Sequence, residues 1–84
     1  MGDDAMDKEE ILFKEDFRLI GLKIAYYRRM KGLTQEQLSE KLGYNNVSYI
    51  GGIEAPGVHR TFSLTTLLKI AKALDVPPYK LLEY

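Results

Sequence analysis

The sequence predicts an all-α domain of five short helices behind an acidic N-terminal arm. Three observations predict it. Apolar residues recur at helical spacing, as in "FRLIGLKIAYYRRMK", where Phe17, Ile20, Ile24, Tyr27 and Arg28 share one face. Strand signals are missing, with no run of strict apolar/polar alternation and no Asn-Gly or Asp-Gly hairpin turn. Helix start and stop residues punctuate the chain at short intervals.

The first helix is expected over residues 17–31, with Gly32 as its stop signal. Thr34 opens the second, "TQEQLSEKL". Thr at the cap with Gln37 three residues on is a capping box, and Leu38 and Leu42 stand four apart behind it. Gly43 ends that helix. Residues 46–54 make a third, with Val47, Ile50 and Ile53 three apart. "APGVHRTF" reads as a loop, because Pro56-Gly57 is a turn signal. Ser63 caps a fourth helix, "LTTLLKIAKAL", with Leu64, Leu67, Leu68, Ala71 and Leu74 as a broad apolar stripe. A short fifth helix is expected in "DVPPYKLLEY", since Pro is tolerated in a first turn.

The 84 residues fit one domain with a modest core. Without Cys there is neither a disulfide framework nor a thiolate metal site, and the single His59 cannot build a zinc site by itself. No metal and no cofactor are therefore expected. No apolar run is long enough to span a bilayer and no signal-peptide pattern is present, so the expectation is a soluble cytoplasmic protein without a membrane partner. No set of nucleophile, base and orienting group is visible, so no enzyme is expected.

Net charge is zero, but its distribution is uneven. Residues 1–16 hold seven acidic and two basic residues, a net of −5, whereas residues 17–84 hold ten basic and five acidic, a net of +5. The chain divides into an acidic arm, 1–16, and a basic domain, 17–84. Such asymmetry hints at an anionic partner, although an acidic tail that merely solubilises an ordinary domain is equally compatible with it.

Two helices joined by a tight Gly-containing turn, the first opened by Thr-Gln, form a helix-turn-helix pattern over residues 34–54. The run "TQEQLSEKLG", then an Ile-x-x-Ile-Glu helix, then "SLTTLLKIAKALDV" and a short Leu-Leu helix, resembles the phage repressor and Cro-type (Xre family) DNA-binding domains over about residues 17–82. The resemblance implies a lambda-repressor-like fold, with the third helix in the major groove of double-stranded DNA and a role as a transcriptional regulator, a repressor by occlusion.

Site residues follow from the resemblance together with their chemistry. Thr34 and Gln35 open the second helix, where free N–H groups and the positive dipole end favour a phosphate to which the Gln35 amide can donate. Aligned on Ile-x-x-Ile-Glu, the family's base-reading positions fall on Val47, Ser48 and Gly52, with Asn46 as cap. Asn45 is a further candidate for polar base contacts, Tyr44 and Tyr49 for phosphate hydrogen bonds, and Arg60 for a phosphate clamp. Arg28 lies 40° from Ile24 on the core face at 100° per residue, and Glu54 closes the apolar stripe of the third helix. An inward charge needs a partner, and the resemblance implies that these two pair. Two features depart from the family. The turn "GYNNV" is about one residue longer, and the third helix carries Gly51-Gly52 with no Arg or Gln to read bases. Those glycines are expected outward or at the flank, where they would admit another surface closely.

Leu19, Leu22, Tyr26 and Met30 give the first helix a second apolar face. Either residues 9–14 of the arm fold back on it, or it joins a homodimer; the C-terminal helix is another possible dimer surface. The rival reading is a protein-interaction module that kept the fold and lost tight DNA binding, for which the Gly-Gly helix, zero net charge and extra apolar face all speak.

Overall fold

The computed structural model of the chain describes residues 12–44, 46–55 and 61–84. Among these there is no strand, and four α-helices form: α1 (Lys14–Met30), α2 (Gln35–Lys41), α3 (Ser48–Glu54) and α4 (Leu64–Leu74). The expected fifth α-helix is instead a 3-10 helix, Pro78–Leu82. The reason is local. The segment is only five residues long, and Lys80 N bonds back three residues to Pro77 O at 3.0 Å, the 3-10 pattern.

The helix ends follow their caps. Thr34 Oγ1 accepts from Gln37 N at 3.0 Å while Gln37 Oε1 accepts from Thr34 N at 2.9 Å, closing the capping box. Ser63 Oγ accepts from Thr66 N at the start of α4. At the end of α2, Gly43 adopts φ +82° and the N–H groups of Gly43 and Tyr44 return to Glu40 O and Ser39 O, a Schellman termination. α4 ends in the same bonds with Asp75 in the left-handed region (φ +57°), a conformation Asp tolerates better than most residues.

α1 begins at Lys14, not Phe17, so the last residues of the acidic arm form its first turn. Glu15 and Asp16 there meet the positive end of the helix dipole. Exposed Glu15 also accepts a two-pronged pair of bonds from Arg18, which lowers the carboxyl pKa. The Tyr84 hydroxyl donates to Asp16 at 2.8 Å, bringing the last residue of the chain to the start of α1 and raising the phenol pKa.

The core is aliphatic: Ile20 and Ile24 from α1, Leu38 from α2, Ile50 and Ile53 from α3, Leu67, Ile70 and Leu74 from α4, and Leu81 from the 3-10 helix. Helix α1 packs on α3, α4 and the 3-10 helix, and α2 packs on α3 and α4. The α1–α3 crossing turns on Gly21. A Cβ at that position would collide with the backbone carbonyl of Ile53 and stand 3.2 Å from its carbon. The absent side chain therefore lets α1 lie directly against the C-terminal turn of α3.

The arm does not fold back over α1 within the described residues. Phe17 N donates to Phe13 O at 3.1 Å, continuing the helical bonding, and Leu12 and Phe13 are exposed. Leu22, Tyr26 and Met30 are exposed as well, so residues 12–14 do not supply the expected cover. Residues 9–11 lie outside the described part.

Gly21→Ala separates the two glycine effects. Helix propensity alone would stabilise by about 1 kcal/mol, but overpacking against rigid backbone costs about 1–3 kcal/mol. Urea unfolding should show a net loss of stability; a gain would mean that the crossing is not as close as described.

Candidate nucleic-acid interface

The site starts from a buried charge. Arg28 and Glu54 are 7% and 6% exposed, inside an aliphatic core. Arg28 Nε donates to Glu54 Oε2 at 2.7 Å, Arg28 Nη2 donates to Glu54 Oε1 at 3.0 Å, and Arg28 Nη1 donates to Leu33 O at 2.7 Å. Bidentate geometry of this kind is the strong form of the ion pair. Gln35 Nε2 adds a third bond to the carboxylate, reaching Glu54 Oε1 at 2.9 Å. The end of α1 and the first residue of α2 thus meet at the carboxylate of the last residue of α3, and the same guanidinium holds the α1–α2 turn through Leu33 O. Gln35 was expected to point its amide at an external phosphate. One amide N–H is instead engaged inward, and the amide group has a second to offer.

The turn between α2 and α3 is held from beneath. Ser39 is 2% exposed, and its hydroxyl lies 3.2 Å from Asn46 O and 3.4 Å from Tyr44 O, with one proton to share between them. Asn46 caps α3. Its Oδ1 accepts from Ser48 N at 3.0 Å and from Ser48 Oγ at 2.6 Å, and Val47 already has helical angles (φ −65°, ψ −23°). The rings of Tyr44 and Tyr49 meet edge to face at 5.0 Å, bracing the turn against the first turn of α3. With Ile50 and Ile53 buried, Asn46, Val47 and Ser48 are left exposed.

Among the expected residues, Thr34 and Gln35 sit at the start of α2, while Tyr44, Asn46, Val47, Ser48 and Tyr49 gather around the start of α3. Asn45, His59 and Arg60 lie outside the described residues. Gly51 and Gly52 are half-buried rather than fully outward. At Gly51 an added Cβ would meet Gln35 Oε1 at 3.5 Å, an ordinary contact, so packing does not forbid a side chain there. Glu36 and Glu40 line a 180 Å³ cleft with Ser39, Tyr44 and Val47. Two carboxylates beside Val47 make this cleft unfavourable for phosphate.

Sequence reasoning missed Gly21, Ser39 and the Gln35–Glu54 bond. Gly21 carried a usable signal, a lone Gly inside a helical pattern. Ser39 carried a weaker one, a small polar residue beside the apolar position Leu38. Gln35 to Glu54 spans 19 residues and leaves no local trace.

Comparisons with known proteins point one way. A helix-turn-helix family model matches residues 24–81. The control protein C.SmaI of Serratia marcescens is 35% identical over 77 residues, 92% of this chain and 88% of that protein. The restriction-modification controller protein C.AhdI of Aeromonas hydrophila has a similar structure, with a TM-score of 0.71 and 39% identity, covering 80% of this chain and 97% of that one. The biofilm master regulator SinR, solved in complex with DNA, matches with a TM-score of 0.67 and 36% identity over 76% of this chain and 98% of that chain.

Removing the shared carboxylate strands Arg28 in the core. Glu54→Gln should cost about 3–5 kcal/mol, as for any buried pair broken on one side. Gly51→Ala should do the opposite and stabilise by up to about 1 kcal/mol. Chemical denaturation of the two variants reads both signs, and equal, small effects would contradict the packing given above.

Proposed function

The chain belongs to the helix-turn-helix family and is a DNA-binding transcriptional regulator; we propose that it acts sequence-specifically on duplex DNA, as a homodimer, by presenting the start of α3 to the major groove. The observation that carries this reading is the exposed trio Asn46, Val47 and Ser48 on a helix whose other end is fixed by the Glu54 carboxylate. Val47, 44% exposed, suits a thymine methyl. Ser48 and the Asn46 amide suit polar base edges, and the N-terminus of α2, with Thr34 and the second amide N–H of Gln35, suits a phosphate. Half-buried Gly51 and Gly52 keep the rest of α3 slender where a groove wall would approach. The likeness to controller proteins supports restriction-modification genes as the regulated targets, and repression by occlusion as the mode.

For the dimer, the C-terminal elements are the better surface. Leu64, Leu68, Tyr79 and Leu82 are 67%, 46%, 57% and 49% exposed on α4 and the 3-10 helix, which pack against each other. The rival surface on α1 offers three large exposed apolar side chains, Leu22, Tyr26 and Met30, against these four; a lysine lies over a tyrosine on both surfaces, Lys23 over Tyr26 at 5.9 Å and Lys80 over Tyr79 at 5.6 Å. Two half-sites about 34 Å apart would then be read together.

Titration of duplexes selected from a random pool tests the reading. Affinity should fall with salt at a log–log slope near −0.9 per neutralised phosphate. Val47→Ala should weaken preferred duplexes by about 1 kcal/mol or more while leaving stability within about 0.5 kcal/mol. Leu68→Glu should sediment as a monomer and lose affinity for paired half-sites. Absence of binding at low salt would favour the protein-interaction reading instead.

A further inference from the structure

A shallow groove of 330 Å³ runs between the last turn of α2 and the exposed side of α4, with a floor of Leu42 and Ala73 and a rim of Lys41, Lys69 and Lys72. None of the three lysines makes an ion pair with a described residue. Other cations are engaged: Arg18 with Glu15, Arg28 with Glu54, Lys80 near Glu83, and Lys23 over Tyr26. Three ammonium groups outside any ion pair among the described residues, around an apolar floor, form a receptor for an acidic segment that also carries an apolar side chain.

We propose that residues 3–10 of this same chain, the acidic stretch of its N-terminal arm, occupy that groove. Charge complementarity is the first argument. Residues 1–11 hold Asp3, Asp4, Asp7, Glu9 and Glu10 against one Lys8, a net of −4, with Met6 among the acids to suit Leu42 and Ala73. The other two acids of the arm are already spent, Glu15 on Arg18 and Asp16 on Tyr84. Reach is the second argument. The ring of Phe17 stacks edge to face on Phe62 at 5.0 Å, setting the start of α1 beside the entry to α4. Lys69 and Lys72 lie five and eight residues past Leu64, about 8 and 12 Å along the helix. Eleven residues extend to about 36 Å, ample for that path. Of the other cations outside an ion pair among the described residues, Lys14 stands singly in the first turn of α1 beside Glu15 and Asp16, and Arg29 and Lys31 stand at the far end of that helix.

The groove lies away from the candidate DNA face. Lys41 is in the last turn of α2, opposite Thr34 and Gln35, and no residue of α3 lines it. The arm docked there neutralises three cations and leaves Asn46, Val47 and Ser48 open.

The chain has no Cys, so Ala5→Cys gives a single attachment point for a nitroxide on the otherwise intact protein. In nitrogen-15 spectra of the full chain, the amides of Lys41, Leu42, Lys69, Lys72 and Ala73 should lose most of their intensity. They should regain it between about 0.1 M and 1 M salt, as the screening length drops from about 10 Å to about 3 Å. The combination Lys41→Glu, Lys69→Glu and Lys72→Glu replaces exposed side chains only and should abolish the broadening with the fold intact. Broadening centred on α3, or none, overturns the proposal. So does broadening that appears only between differently labelled copies, which would make the occupant a second molecule. Groove amides that shift with added duplex and ignore the spin label would assign the lysines to phosphates instead.

Discussion

A carboxylate in an aliphatic core must be satisfied or it costs several kcal/mol, and the carboxylate of Glu54 organises the rest of this molecule. It stands at the C-terminus of α3, where the helix dipole disfavours negative charge, so it needs compensation for two reasons. Arg28 supplies it from the last turn of α1, where the dipole favours a cation, and Gln35 supplies a third donor. A fully satisfied pair of this sort adds little net stability relative to apolar side chains of the same volume. Its effect is positional. Three helices that share few residues in sequence are referenced to one pair of oxygen atoms, and α3 cannot rotate about its axis without stranding a charge.

That constraint matters because α3 is a poor helix by itself. It has seven residues, two of them Gly, and isolated helices shorter than about 12–15 residues are marginal in water. Its helicity is imposed from outside: by Ile50 and Ile53 in the core, by Glu54 at one end, and by Asn46 over Ser39 at the other. Such a helix can expose small side chains and still be rigid, which is what presenting backbone and short polar groups to a groove requires. Longer reading side chains would tolerate a looser helix, because their own flexibility takes up misalignment; Val47 and Ser48 have no such slack.

What the sequence made legible divides by distance along the chain. The capping box of Thr34 and Gln37, the Ser63 cap and the Gly43 stop are interactions over three to five residues, and each could be read directly. Arg28 and Glu54 are 26 residues apart, yet their inward positions marked both as needing partners. Gly21 was visible only as an oddity, since nothing local says which backbone comes close to it. The five-helix expectation failed at its last element because a Leu-Leu pattern does not distinguish an α-helix from a 3-10 turn when prolines open it. Helix α1 starts three residues before Phe17, the first residue of the apolar periodicity, because Glu15 and Asp16 are good first-turn residues that carry no apolar signal.

Charge also bears on selectivity. A domain of net +5 attracts any duplex, and this sequence-independent attraction accounts for essentially all non-specific binding. An arm of net −5 on the same chain cancels that far field. Screening confines what remains to groups within about 8 Å of the phosphates at physiological salt, which on the proposed function are those at the start of α2 and the polar start of α3. Specificity is a ratio of specific to non-specific affinity. If α3 reads bases as proposed, with short side chains only, it gains more from suppressing the denominator than a helix with several bidentate arginines would. Zero net charge, which read alone speaks against a nucleic-acid partner, is therefore compatible with selective binding by a helix as sparsely furnished as α3.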